Sequence, residues 1–382
     1  MKKLSILVIA TLIATGSFAQ NVNVQTAFNH LKKGKFKEAL ESIQPALDHA
    51  QTSMQAKTWY YYAKTTLGIA QDETGAFATL LADPLDEASK ACDKVLELEA
   101  SKKTDEYTDE IRDMRLGIAS LYSNKGITAY EEKSYSEAAG YFLKAHEIRE
   151  NAGSANFDML MYAADCLLAA EKWDEAEVAL TKLKNAQYNN ARVYVGLAKV
   201  AVAKKELTKA VQYLDEGEET FPKDLGLLTE KANMYMVGEL SELDKHAALN
   251  TLKKIIDIEP NNASVWNSLG ACYAMDPQTF DEAAAAFLKC IELDPKFTSA
   301  YYGYSNLYLD KANGYIKEAN DLPIEEDAKY NELIQKAEEV FTEILPFVEQ
   351  AHELAPSDPI VKQILKDIYV RLKMMDKAEG IK

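Results

Sequence analysis

The segment from Trp266 to Pro295, WNSLGACYAMDPQTFDEAAAAFLKCIELDP, constrains the fold more than any other stretch of the chain. Trp266, Leu269, Gly270 and Tyr273 follow helical spacing, and after a turn Ala283, Phe287 and Cys290 do the same. Gly270 and Ala283 are small where two helices must approach closely, and Trp266, Leu269, Tyr273 and Phe287 fill the space between them. Pro295 cannot continue the second helix and opens the next turn. One such pair leaves apolar flanks in water, so the pattern has to recur.

It does recur. Ala27, Leu31, the turn Gly34-Lys35-Phe36, then Ala39, Ile43 and Ala46 give a first unit. Trp59 and Ala63 are spaced like Trp266 and Gly270, and their partner helix, with Ala88, Cys92 and Val95, follows a long stretch containing Gly68, Gly75 and Asp83-Pro84. Residues 105–133 read as one long helix with Tyr107, Ile111, Met114, Ile118, Leu121 and Tyr122 on one face. It runs into Gly126 and Tyr130, then Tyr135, Ala138, Phe142 and Ala145. From Ala176 to Ala210 the spacing is 34 residues. Another unit runs through Leu228, Ala232, Tyr235, Ala248 and Leu252, with a longer turn around Gly238 to Asp244. After Tyr301, Tyr304 and Tyr308 a second interruption, Asp310 to Asp327, contains Gly314 and Pro323. A long helix then ends at Pro356, and Pro359 to Met375 is expected to cap the array without a full partner.

On these residues the chain resembles the tetratricopeptide repeat (TPR) family. The resemblance implies an all-α fold: an α-solenoid, a right-handed superhelix of about eight TPR-like helix pairs with a C-terminal capping helix. It spans residues 20–382, as two sub-arrays at 20–104 and 105–382. The function it implies is a non-enzymatic protein–protein interaction scaffold that binds a peptide segment or partner protein on its concave face or inserted loops. In the family the first helix of each pair lines that face. The matching positions here are Lys57, Tyr60 and Lys64; Asp165; Arg192 and Lys199; Asn233; Asn267; and Tyr302 and Asn306. Amide and phenol groups there suit the backbone of an extended peptide. Some relatives grip a C-terminal carboxylate with a Lys/Asn/Arg clamp. This chain departs from that set, because its Asn residues lie on later units than its Lys residues and Asp165 would oppose the carboxylate.

Residues 1–19 read as a cleaved signal peptide: Lys2 and Lys3, an apolar run from Leu4 to Ala14, and Ser17-Phe18-Ala19 before a mature start at Gln20. The expected location is therefore periplasmic or secreted, in a Gram-negative bacterium, with no membrane insertion after cleavage. The formal net charge of -17 repels phosphate backbones and argues against nucleic acid as a partner. Cys92, Cys166, Cys272 and Cys290 show no metal-ligand spacing, and Cys272 with Cys290, on the two helices of one repeat, is the one pair to test for a disulfide. No GxSxG elbow, phosphate loop or paired His motif is present, so no catalytic, metal-binding or cofactor-binding residues are expected. An alternative activity is a small-molecule or glycan binder with aromatic platforms near the insertions, motivated by 21 Tyr against 12 Phe.

Overall fold

The computed structural model describes residues 21–236, 240, 244, 246–323 and 325–381, and all regular elements among them are helical. The expected signal segment, 1–19, and most of the turn at 238–244 lie outside the described residues. Two compact units divide between Tyr188 and Asn189, inside the second of the two sub-arrays expected from the sequence.

In the first unit α1 (residues 21–31) pairs with α2 (Phe36–Asp48), α3 (Ala56–Ala70) with α4 (Pro84–Lys102), α5 (Thr108–Glu131) with α6 (Tyr135–Asn151) and α7 (Phe157–Ala169) with α8 (Trp173–Asn185). In the second, α9 (Arg192–Ala203) pairs with α10 (Leu207–Thr220), α11 (Leu225–Met236) with α12 (Ala247–Ile258), α13 (Ala263–Ala274) with α14 (Phe280–Leu293) and α15 (Thr298–Asn320) with α16 (Asp327–Leu354). Short turns make the members of most pairs antiparallel neighbours. The alanine near the start of most second helices is buried, as at Ala39, Ala88, Ala138, Ala176, Ala210 and Ala283, because a larger side chain there would hold the helices apart.

The turn between helices is itself repeated. The residue after the first helix takes the left-handed conformation at Gly34 (φ +67°), Lys133 (+62°), Glu171 (+56°), Lys205 (+63°) and Lys373 (+62°). The following N–H reaches back to the carbonyl five residues earlier: Lys35 to His30 at 3.0 Å, Ser134 to Ala129 at 2.8 Å, Lys172 to Leu167 at 2.9 Å, Glu206 to Ala201 at 2.8 Å and Met374 to Tyr369 at 2.7 Å. This helix-terminating motif satisfies carbonyls that the helix leaves open. Gly34 alone announces it in sequence, since the other four sites carry side chains in a conformation that glycine tolerates better.

Phenylalanines of second helices seat in glycine notches of first helices. A Cβ added at Gly68 would lie 2.1 Å from the ring of Phe36, and one at Gly126 would lie 2.8 Å from that of Phe142. Phe287 meets two notches, with added Cβ atoms at 2.8 Å from Gly270 in its own pair and 2.5 Å from Gly303 in the next. The signature aromatic at the start of a first helix ties that helix to the preceding turn. Trp59 Nε1 donates to Ser53 O at 2.7 Å, Trp266 Nε1 to Pro260 O at 2.8 Å and Tyr301 Oη to Pro295 O at 3.1 Å.

Two sequence expectations change. The interruption at Asp310–Asp327 is mostly helix: α15 continues to Asn320 and packs on the start of α16 through buried Ala312, Ala319, Leu333 and Ala337. The terminal helix α17 (Pro359–Arg371) has a short partner, α18 (Met375–Gly380), whose Ala378 is buried like the alanines of other second helices. The long connection between α3 and α4 is non-helical, as expected, and held locally. Asp72 accepts from the backbone and hydroxyl of Thr74 (3.2 and 2.6 Å) and from Phe77 N (3.3 Å), and the Phe77 ring meets Phe36 edge-on at 5.7 Å.

Candidate partner-binding face

Because second helices press small residues and aromatics against the first helices, a first helix has one outward row left for other work. In the second unit that row holds Arg192 and Lys199 on α9, both exposed, and Asn233 on α11, also exposed. Lys199 Nζ lies 3.1 Å from Glu230 of α11, so α9 and α11 run side by side with these residues on adjacent rows. Asn267 follows on α13, which shares a core cluster with α11 through Leu228, Ala232 and Leu269. The Asn267 side chain is half-buried, and its Oδ1 is buried with no hydrogen-bond partner among the described residues. Tyr302 and Asn306 are half-buried on α15.

The first unit is different. Lys57 is exposed, but Tyr60 is buried, its ring stacked on Tyr107 at 4.4 Å and its hydroxyl donating to Glu110 of α5. Lys64 Nζ donates to Tyr60 Oη at 2.6 Å and pairs with Glu110 at 3.2 Å. Burial, reinforced by the Glu110 bond, pushes the Tyr60 phenol above its ordinary pKa. For Lys64 burial works the other way, and the bonds to Tyr60 and Glu110 outweigh it and raise the ammonium pKa. Tyr60 and Lys64 therefore join α3 to α5 rather than face a groove. Asp165 is half-exposed on α7 and engaged in interactions of its own.

The aromatic platforms expected near the insertions are mostly core. Tyr60, Tyr62, Tyr301 and Tyr304 are buried, and Trp59, Tyr302 and Tyr308 half-buried. The four cysteines are free thiols, Cys272 and Cys290 included, and three of them are buried. Among the described residues no group of three or more His, Cys, Asp or Glu is placed to hold a metal ion, and no helix is long and apolar enough to cross a membrane.

Two buried cations escaped the sequence reading. Arg115 of α5, 7% exposed, pairs with Asp93 of α4 at 2.6 Å. Lys231 of α11, also 7% exposed, reaches Asp215 and Glu218 of α10, each at 2.7 Å. Burial disfavours the Lys231 ammonium, yet its bonds to Asp215 and Glu218 outweigh that and hold its pKa above the usual lysine value. In both cases a first helix is fastened to the preceding second helix by charge. The signal was available: each cation sits four residues after a core residue, Ile111 or Leu227, where a hydrophobe is due.

Residues 163–224 and 263–297 match two family models, both described as tetratricopeptide repeat. The chain is 26% identical over 209 residues to a TPR repeat-containing protein of Pseudomonas aeruginosa, covering 53% of this chain and 34% of that one. It is 25% identical over 167 residues to a tetratricopeptide repeat-containing protein of Caenorhabditis elegans, covering 44% of this chain and 20% of that one. It thus spans about a third and a fifth of these two relatives. Among solved structures, a tetratricopeptide repeat protein from Parabacteroides merdae is 18% identical with a TM-score of 0.40, covering 59% of this chain and 77% of that one. The C-terminal part of a TPR repeat-containing protein from Cytophaga hutchinsonii is 16% identical with a TM-score of 0.43, covering 68% of this chain and 99% of that one.

Proposed function

Since the chain is a tetratricopeptide-repeat protein, we propose that it is a protein–protein interaction scaffold that holds a partner segment along the first helices of its second unit. One observation carries the reading. The outward row there keeps Asn233, Asn267 and Asn306 at positions that the core does not require, whereas the matching Tyr60 and Lys64 of the first unit are engaged with Glu110. Amide side chains on such a row can donate to and accept from a partner's backbone without demanding a particular sequence.

The test places a photo-crosslinking amino acid at Asn233 or Asn267, with Asp257 of α12 and Ala285 of α14, exposed on second helices, as controls. The same partner should be trapped from both first-helix positions and from neither control, and Arg192→Ala with Asn306→Ala added to either crosslinker variant should abolish capture. Equal yields from all four positions would remove the first-helix assignment. We also propose export to the periplasm, on the pattern of Lys2, Lys3 and the apolar run before Ala19. Mass spectrometry of the protein from its native cell should find Gln20 at the N-terminus, and an intact Lys2-Lys3 end would rule the cleavage out.

A further inference from the structure

In each first helix of the second unit a small buried residue, Ala198, Ala232, Gly270 or Ser305, marks the approach of the second helix and fixes a common register for α9, α11, α13 and α15. Four residues beyond it stand Val202, Met236, Ala274 and Leu309, all apolar and half-buried or exposed. Positions three before, one after and four after the small residue are spaced by four and three, so they share one helix face. Val202 with Met236, and Ala271 with Leu309, border shared core clusters, so that face continues from helix to helix. It carries two stripes side by side: amides at Asn233, Asn267 and Asn306, and an apolar edge at Val202, Met236, Ala274 and Leu309.

On α11, α13 and α15 none of these positions is charged, in a chain that is 27% charged, so neutrality belongs to the face and not to the composition. A charged side chain laid there would lose water and gain no counter-ion. The net charge of -17 turns acidic segments away in particular. The complement is an uncharged segment, and its backbone has to be open, because the asparagine amides bond free N–H and C=O groups. An α-helix uses those groups internally and is excluded. Packed helices lie about 8–10 Å apart, so apolar side chains that reach successive first helices recur at about that interval. Along a β-strand same-side residues recur at about 7 Å and then about 13 Å, and neither fits. Polyproline II fits: three residues per turn at about 3.1 Å each advance about 9 Å, and no internal hydrogen bonds occupy its backbone.

We propose that the segment held on the second unit is an uncharged polyproline II stretch of about ten residues. Every third side chain is apolar and seats on Val202, Met236, Ala274 and Leu309 in turn, while the backbone bonds Asn233, Asn267 and Asn306. This rests on the first-helix reading and specifies its partner. Calorimetric titration of the full chain with two ten-residue peptides of one composition tests it: Leu-Pro-Gln three times followed by Leu, and an isomer with its four leucines at alternate positions. The first should bind about tenfold more tightly. Glutamate in place of its middle glutamine should weaken binding several-fold. So should Met236→Gln with Leu309→Gln in the protein, read in a variant whose helical circular dichroism matches the parent. Leu288→Gln, on the outer side of the second helix α14, should leave binding unchanged. Equal affinities of the two isomers, tighter binding of the alternating one, no binding of either, or binding indifferent to Met236→Gln with Leu309→Gln would overturn the proposal. In that event a partner still crosslinked from Asn233 and Asn267 leaves the first-helix reading standing, and the lack of one removes both.

Discussion

Alanine at Gly270 sets two opposed effects against each other at one atom. In a helix interior the exchange of glycine for alanine is favourable by ~1 kcal/mol. Against that, the new Cβ would lie 2.8, 2.9 and 3.0 Å from three carbons of the Phe287 ring, well inside the carbon–carbon optimum of about 3.5–4.0 Å. A ring free to slide would relieve this cheaply. Phe287 is not free, because Gly303 on its other flank already leaves only 2.5 Å to where a Cβ would stand. Overpacking of this kind costs roughly 1–3 kcal/mol, and a trapped ring belongs at the upper end, so Gly270→Ala should destabilise by ~1–2 kcal/mol net. Phe287→Ala alone should cost ~3–5 kcal/mol. With the ring gone, Gly270→Ala should change sign and stabilise by ~1 kcal/mol, a coupling of ~2–3 kcal/mol in the double-mutant cycle. Urea unfolding followed by Trp266 fluorescence, with Trp59 and Trp173 replaced by Phe, reads the local repeat, because repeats in such arrays respond mainly to their neighbours. An equal effect of Gly270→Ala with and without Phe287, or a stabilised single variant, would refute the notch.

Gly140 and Gly314 are helical and exposed, and an added Cβ meets nothing within 4 Å, so Gly140→Ala and Gly314→Ala should each stabilise by ~1 kcal/mol in thermal or urea melts. Burial would raise the Glu218 pKa, but its bonds to Lys231 and Lys254 outweigh that and depress it. The stabilisation from this carboxylate is therefore complete above the ordinary glutamate value of about 4.3 and is lost as pH falls through the lower folded value. Glu218→Gln should flatten the acid limb of the stability profile there, and an unchanged limb would count against the Glu218 ion pairs with Lys231 and Lys254. Burial pushes the Cys166 and Cys290 thiols up to about 11, so neither should be alkylated by iodoacetamide at pH 8 until urea unfolds the chain, as peptide mass spectrometry can follow.

The fold was legible because its constraints are local. A small residue at Ala283, an aromatic at Phe287 and a turn between them dictate a helix pair without reference to anything distant, and the same holds from Ala39 to Ala210. Gly314 misled for an equally local reason. Read as a break, it is an exposed helical residue whose modest cost is offset by Ala312 and Ala319 burying themselves on α16. The candidate site was legible only in part. Position alone identified Arg192, Lys199 and Asn233 as outward-facing, but Tyr60 and Lys64 were captured by Glu110, about fifty residues away, a partner that no local pattern announces. Lys231 was missed because a lysine at core spacing is ordinarily solvated, and the acids that allow its burial lie on a different helix.

The ring of Phe287 also bears on how the protein would behave under tension. Phe36 and Phe142 each seat on one glycine of their neighbouring first helix, but Phe287 is wedged between α13 and α15, the leading helices of two successive pairs. Drawn apart by its ends, an array with single seats yields one pair at a time. At Phe287 the two pairs share a bolt, so extracting α15 loosens α13 in the same event, and the force trace should show one long step there instead of two short ones.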